Sequence, residues 1–426
     1  MRNIFILFTI AFISISVKSK GQDKYQRDLQ KLYSIIQKLP SYKDQIRNGS
    51  MKSYNKLYHS LQSDTIKDVE VHKIFYNLSK LFFPINDNHL GFYELPEFYL
   101  NQAEFNDSIA IKKYRNSSMF QNYPKINLNF DSLENNLNHK PKDSIEGLYY
   151  YQNFLKIGLY HLNNSNEYLG LVLSSEIPNW ETGQVAIRLF EYAPAQFKAI
   201  YGHPLFKNLM LYNNEKFKNY SLINSYFYSS ISESIYKKEV SEEKDHVNLS
   251  KSLPTFIFQD YGDVKYLRLG NFSTFTSELN KSNQFYNSIK NSLVSKHLIL
   301  DLRNNSGGSF NVSKKYLKLI QKYSNRREIY ILVNNGTFSQ AEIFTLQLKK
   351  TTNCRVLGEQ TNGTLAYGSN YGKIEKLPSE RFQVYITDMK DKGHYRNFEG
   401  KGIAPDILLK SDSDWILQAR EIIKSN

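Results

Sequence analysis

Three segments concentrate the residues that could do chemistry: LILDLRNNSGG (298–308), ILVNNGTFSQAEIF (331–344) and CRVLGE (354–359). Ser339 follows an apolar strand and opens a helix, where unpaired N–H groups and the helix dipole favour a developing negative charge. Serine is also a preferred N-cap, and local sequence leaves both readings open. The earlier turn, Asn304 to Gly308, ends in two glycines whose backbone freedom lets N–H groups be aimed at a ligand; a plain loop is the bland alternative. Taken together, neighbouring parallel strands would bring the N–H of Gly307 or Gly308, and that of Gln340, to one point before the Ser339 hydroxyl. An alcohol facing two backbone donors suits acyl transfer. That chemistry calls for no metal and no cofactor.

The elements that must hold these turns are clear in the final third of the chain. DVKYLRLGNF reads as a strand, Asn280 to Ser295 as a helix and HLILDL as a fully apolar strand. A helix around Val312 to Tyr323, the strand EIYILV, a helix from Gln340 to Lys350 and the strand CRVLG follow. Successive strand, turn, helix units with uninterrupted apolar strands imply parallel strands buried on both faces, with the binding crevice at their carboxyl ends. Upstream, Tyr25 to Leu81 carries apolar residues at helical spacing, interrupted by Pro40, and predicts two to four helices. NDNHLGFYEL suggests a turn entering a strand. Residues 101–250 hold extended runs (YLGLVLSS, GQVAIRLFEY), aromatic clusters from Tyr212 to Ser234 and the charged segment KKEVSEEKDH; they read as an inserted mixed or β-rich module and a linker.

Composition bounds the rest. With 426 residues, 41% hydrophobic and 23% charged, the chain can bury a large core or several smaller ones. Arg2, an uncharged apolar run from Ile4 to Val17, and the polar KSKGQ have the order of a secretory leader ending after Ser19 or Gly21. The run is shorter than the roughly 20 residues a spanning helix needs, so the mature chain is expected to be exported, to a bacterial periplasm or the exterior, without an integral membrane segment. Cys354 is the only cysteine and cannot form an internal disulfide; inert burial in its strand is expected. The formal charge of +14 comes with scattered lysines and no nucleic-acid motif, so a solvated basic surface is the reading and a nucleic-acid partner is not expected.

The chain resembles the tail-specific or C-terminal processing serine peptidases in four ordered motifs: DLRNNSGG (301–308), GTFSQAEIF (336–344), VLGE (356–359) and GIAPD (402–406). The resemblance covers about residues 255–410. It implies an α/β fold with a ClpP/crotonase-like ββα core of parallel strands, beside the N-terminal helical region and the inserted module. The division expected is 1–21 leader, 22–83 helical region, 84–100 entry strand and histidine turn, 101–250 inserted module and linker, 251–412 catalytic core and 413–426 C-terminal helix. In the serine/lysine branch of that family a lysine follows the glycine of the loop after V-x-G-E, where this chain has Thr364 in EQTNGT. A threonine hydroxyl is no base near neutral pH, and Lys349 and Lys350 lie on the helix after the serine.

The other branch is similar to the tricorn protease core and the interphotoreceptor retinoid-binding protein domains, and takes a histidine from an early D-G-H-like turn and a glutamate before G-x-x-P-D. His89 in DNHLGF and Glu399 in EGKGIAPD fill those places, with Asn88, as an orienting group, where a Gly or Ser is usual. The resemblance implies a serine-type peptidase with Ser339 as nucleophile, His89 as general base, Glu399 acting indirectly, and the N–H groups of Gly307 or Gly308 and of Gln340 as the oxyanion hole. Asp87, Glu342 and Asp406 are expected to cap turns or hold loops. The partner implied is an extended or unfolded polypeptide. A non-catalytic binder of apolar ligands or peptides on the same fold is the alternative, since fold does not fix function, and no GLG-type signature of a peptide-binding PDZ module is present.

Overall fold

The apolar spacing of the N-terminal segment folds as a helical layer in the computed structural model, which describes residues 20–425 apart from 68–69, 97, 228–233, 239–244, 251, 326, 371 and 392. The expected leader lies outside the described residues except for Lys20 and Gly21, which begin the first helix. Helical segments run over Lys20–Ile36, Pro40–Arg47, Met51–Ser63 and Val71–Ser79. Pro40 starts the second segment rather than merely ending the first, because a proline at the first helical position forfeits no internal hydrogen bond. Leu29, Leu32 and Ile36 from one helix and Ile74, Phe75 and Leu78 from another recur at three- and four-residue spacing and are fully buried.

This layer packs on a large antiparallel sheet. Strand β1 (Gly91–Glu94) is followed by a meander of β2 (Gly147–Tyr151), β3 (Leu155–His161), β4 (Glu167–Ser175), β5 (Val185–Ala193), β6 (Gln196–Gly202), β7 (Leu209–Lys218), β8 (Ser221–Leu222) and β9 (Tyr236–Lys237). Each strand pairs with the next, and β9 returns to β2, so these eight strands close into a barrel. Period-two alternation divides their side chains. Phe197, Ala199 and Tyr201 of β6 join the aromatic filling of the barrel with Tyr149, Tyr151 and Tyr236, whereas Ile200 and, from β7, Leu209 and Leu211 face the helical layer. Burying one such side chain stabilises by about 2 kcal/mol.

The second sheet starts at β10 (Phe256–Asp260) and β11 (Val264–Leu269), an antiparallel pair, and continues through β12 (His297–Asp301), β13 (Glu328–Val333) and β14 (Cys354–Gly358), all parallel. The helices Thr276–Ile289, Phe310–Tyr323 and Gln340–Thr351 cover one face, and the C-terminal helix Trp415–Ser425 packs on the other. Strands buried on both faces account for the continuous apolar runs in the sequence. The first of these helices begins at Thr276 and ends at Ile289, earlier than the expected Asn280 to Ser295. Cys354, at the start of β14, is half-buried rather than sealed.

The two sheets do not follow the divisions read from sequence texture. Strand β16 (Phe382–Tyr385), from the C-terminal third, pairs with β1, and β15 (Ile374–Lys376) pairs with β16, so both extend the barrel's sheet, while β17 (Ile407–Leu408) finishes the second one. The register Gly91↔Tyr385 and Phe92↔Leu211 joins residues that are in both cases more than a hundred positions apart. A four-residue strand carries too little pattern to announce such partners. Strands β2–β9, which lie within residues 101–250, are therefore continuous with β1 and β16 in one sheet, and part of the expected linker, 239–244, lies outside the described residues.

Candidate active site

Both glycine-containing turns lie at the carboxyl ends of parallel strands, and a buried ion pair anchors the first. Burial alone would raise the Asp301 carboxyl, but the Arg303 guanidinium overrides it and holds the group below its ordinary range. Asp301 accepts from Arg303 Nη2 at 2.7 Å and from the Tyr266 hydroxyl at 2.9 Å. Removing one partner of so buried a pair leaves an uncompensated charge, so the DLR segment fixes where the turn begins. Asn305 continues the work: its Nδ2 donates to Leu269 O at 2.8 Å and its Oδ1 accepts the Gly307 N–H at 2.8 Å. Gly307 and Gly308 adopt φ of 84° and 128°.

The second turn is bolted to the first. Asn334 Oδ1 accepts the Asn304 N–H at 2.9 Å, Thr337 Oγ1 donates to Leu302 O at 2.8 Å and the Phe338 N–H reaches Asn305 O at 3.1 Å. Ser339 then takes φ 58°, ψ −126°, a strained conformation for a residue with a side chain, at the head of the helix Gln340–Thr351. Strain of this kind, of order 1–3 kcal/mol, persists where the surroundings over-determine it.

The Ser339 hydroxyl does not cap this helix. The Glu342 N–H is taken by the Ser339 carbonyl at 3.0 Å, and Ser339 Oγ lies 3.0 Å from His89 Nε2. The hydroxyl and the imidazole thus meet across 250 residues of chain. Gly307 packs so closely on this point that a Cβ there would fall 2.7 Å from the Gln340 nitrogen. The Gly307 N–H is already given to Asn305, which removes it from the expected donors. Those of Gly308 and Gln340 have no partner among the described residues, and Gln340 is at the first helical position, where the N–H has no internal acceptor.

His89 sits in the turn before β1. Asp87, fully buried, accepts from Thr387 Oγ1 at 2.6 Å and from the Leu90 N–H at 3.2 Å, which fixes the turn as expected of a loop-holding acid. Burial pushes the half-buried His89 imidazole down, to about 4, and the Tyr367 backbone pulls it partly back. Its Nδ1 is buried with no well-formed hydrogen bond.

Glu399 does not touch the ring. Its Oε1 accepts the Asn88 N–H at 2.8 Å and its Oε2 the N–H groups of Leu365 at 3.0 Å and Ala366 at 2.8 Å. It therefore clamps the histidine turn to the loop after β14. Burial, with the charge of Asp87 adding to it, pushes this carboxyl up to about 8 against those three donors. Asn88 does not orient His89 either: its Nδ2 donates to Gly363 O at 2.7 Å.

Two further sets of residues shape the site, the first centred on an acid expected to hold a loop and the second not singled out by the sequence. Glu342, fully buried, accepts from the Ser339 N–H, Thr361 Oγ1, and the N–H groups of Gly363 and Thr364 at 2.5–3.1 Å. The acid of the QAEIF segment is thus a hub that ties the serine to the loop 361–364. From the barrel, Asn214 Nδ2 and Lys216 Nζ both donate to Asn362 O at 3.2 Å, and Asn335 Nδ2 donates to Asn224 Oδ1 at 2.8 Å. Their only trace in the sequence is an amide-rich β7, which has no recognisable spacing.

Thr364 Oγ1 donates to Asn362 Oδ1 and is no base. Lys349 pairs on the surface with Asp406 at 2.7 Å, and Asp406 Oδ2 accepts the Val356 N–H at 2.8 Å, holding β14. No group of three or more His, Cys, Asp or Glu suited to a metal ion occurs among the described residues.

Residues 311–409 match the family model described as peptidase family S41. The chain is 26% identical over 203 residues to a protein of Staphylococcus epidermidis named as a probable CtpA-like serine protease, covering 41% of this chain and 38% of that protein. A Staphylococcus aureus protein of the same name is 27% identical over 181 residues, 34% of this chain and 35% of that protein. The chain thus spans well under half the length of the curated relatives it matches. Among solved structures it is similar to a photosystem II D1 C-terminal processing protease (14% identity, 92% and 94% coverage, TM-score 0.36) and to the tricorn protease (11%, 95% and 37%, TM-score 0.34). By family model and relatives, the likeness is to serine-type peptidases.

Proposed function

We propose that this chain, whose residues 311–409 carry the S41 peptidase match, is an exported serine-type endopeptidase that hydrolyses peptide bonds in extended or unfolded polypeptides. The observation that carries the reading is the 3.0 Å approach of His89 Nε2 to Ser339 Oγ beside two N–H groups that are unpartnered among the described residues. In this reading the six-stranded sheet with its turns is the ClpP/crotonase-like core. Export, to a bacterial periplasm or the exterior, rests on the order of residues 1–21; no helix among the described residues is long and apolar enough to cross a membrane.

Ser339 Oγ attacks the peptide carbonyl carbon as its proton passes to His89 Nε2. The oxyanion forms before the N–H groups of Gly308 and Gln340, each donor contributing about 3 kcal/mol to the transition state. The C–N bond then breaks, His89 returning the proton to the leaving amine, and water repeats the sequence on the acyl-enzyme. Glu399 positions: it holds the histidine turn and the loop 365–366 together. Hydrolysis of an unfolded protein at neutral pH, abolished by a fluorophosphonate and indifferent to a chelator, tests the reading; inhibition by the chelator alone contradicts it.

Two variations follow from the geometry. A Cβ on Gly308 would meet Phe272 O at 2.2 Å, at a φ of 128° that side chains rarely adopt. Gly308→Ala is expected to displace the turn and lower kcat by about 10²–10³-fold, the scale of a lost oxyanion donor, with KM changing far less; steady-state kinetics on a peptide substrate checks this. The base must be neutral to accept a proton, so kcat/KM falls as pH drops through the His89 pKa. Because burial lowers that pKa toward about 4, the acid limb of the profile lies below the ordinary histidine value of about 6.5. A limb above 7 would contradict the buried imidazole as base.

A further inference from the structure

The N-terminal helical layer reaches the site through a single turn. Lys43–Arg47 is wound more widely than an α-helix, as a π-helical turn, a form that occurs mostly as single turns and often beside functional sites. Tyr42 and Ile46 anchor it in the core that the helices share with the barrel's sheet. Asp44 and Gln45, between those anchors, bond to all three chain segments that carry or flank His89: the turn itself, the loop after β14 and the segment that ends in Glu399.

Gln45 makes the closest of these contacts. Its Nε2 donates to Asn86 O at 2.7 Å, and its Oε1 accepts the Asn86 N–H at 2.8 Å. One side chain thus pairs both main-chain groups of a residue three positions before His89, as a neighbouring strand would. The second hydrogen of Nε2 goes to the Tyr367 hydroxyl at 3.2 Å. A carboxamide offers two donors and an acceptor on one planar group, and here all three are used. Tyr367 is buried, and its backbone is the one that faces the His89 imidazole. Asp44 adds the third segment: it pairs with Arg396 at 2.8 Å and accepts from the Tyr367 hydroxyl at 3.4 Å. The Asp44 pair is open to solvent and contributes little, so the grip rests on Gln45.

We propose that Gln45 is a positioning residue for the general base: its amide fixes the spacing between the turn that carries His89 and the loop behind the imidazole, and so keeps Nε2 at hydrogen-bond distance from the Ser339 hydroxyl. The proposal rests on the peptidase reading for the role of His89. Glu399 joins the same two segments from the buried side, through Asn88, Leu365 and Ala366. Gln45, half-buried, joins them nearer the surface, and the histidine turn is held at two points. A base displaced by about an ångström loses the alignment that proton transfer needs, at a cost on the order of 10²-fold in rate.

Gln45→Met keeps the length of the side chain and removes its three hydrogen bonds. In steady-state hydrolysis of a peptide by the full chain it is expected to lower kcat roughly 10- to 100-fold, with KM and Tm close to those of the wild type. Labelling of Ser339 by a fluorophosphonate is expected to slow by the same factor. Lys43→Ala, at an exposed position of the same turn, keeps the wild-type kcat and labelling rate. An unchanged kcat in folded Gln45→Met, a rise in KM alone, or an equal loss in Lys43→Ala overturns the positioning role. So does a Gln45→Met chain that does not fold, since Gln45 would then belong to the scaffold. A wild type that labels at Ser339 but hydrolyses no peptide overturns the peptidase reading instead, and the labelling rates still decide the role of Gln45; a wild type that does neither overturns both.

Discussion

Ser339→Ala lowers kcat by on the order of 10⁶-fold while the protein stays folded, the scale expected when the nucleophile of a coupled serine and histidine pair is removed. The hydroxyl has one modest structural role to lose, a single bond to His89 at 3.0 Å. The cap of its helix is made by the Ser339 carbonyl and by the Glu342 carboxylate, which accepts the Ser339 N–H at 3.1 Å. Alanine keeps both and retains the same positive-φ backbone strain. A Tm within a few degrees of wild type, with hydrolysis reduced to the residual level of an oxyanion hole without a nucleophile, is the paired expectation. Loss of folding would mean that the serine is part of the scaffold.

His89→Ala has an effect of similar size, and the double variant is no worse than either single one. A base matters only through the nucleophile it deprotonates, so the two losses do not add. Here the coupling is direct, Nε2 to Oγ, and no second base stands ready. Lys349 is paired with Asp406, and Thr364 Oγ1 is engaged with Asn362. Steady-state rates of the four proteins, wild type, two singles and the double, give the comparison. Multiplying losses would place His89 outside the proton path. Its removal also opens a space under the Tyr367 loop, so the Tm of the single variant is measured alongside, and a fall of only a few degrees is expected.

What the sequence displays of this site follows from how each part is encoded. Buried parallel strands must be apolar on both faces, so β12, β13 and β14 stand out, and the turns at their ends can be found by position alone. Ser339 and Gly308 are legible for that reason. His89 and Glu399 became visible only through the spacing of a resembled family, because each lies on a loop whose partner is far along the chain. The roles expected of neighbouring groups changed once distances were known. The N–H of Gly307 is spent on Asn305, Asn88 holds Gly363 with its side chain and Glu399 with its backbone, and Glu399 never reaches the imidazole. Those are matters of a few ångströms, and residue identity does not encode them.

The barrel shows the opposite case. Its strands alternate, but Tyr201, Phe197, Ile187 and Leu189 fill the interior while Phe190, Ile200, Leu209 and Leu211 face the helices, so both faces look apolar and the pattern of β4 to β7 reads only as extended. Closure through β8 and β9, two residues each, leaves almost no trace. The attachment of β1 between β7 and β16 is likewise invisible, and it sets the histidine turn.

The most direct test is covalent labelling of the full chain by a fluorophosphonate, with the modified residue located by mass spectrometry of a digest. The account predicts one adduct, on Ser339, formed at neutral pH and lost in His89→Ala at unchanged fold. A chain that stays unlabelled at Ser339 while folded, or labels equally fast without His89, would contradict it.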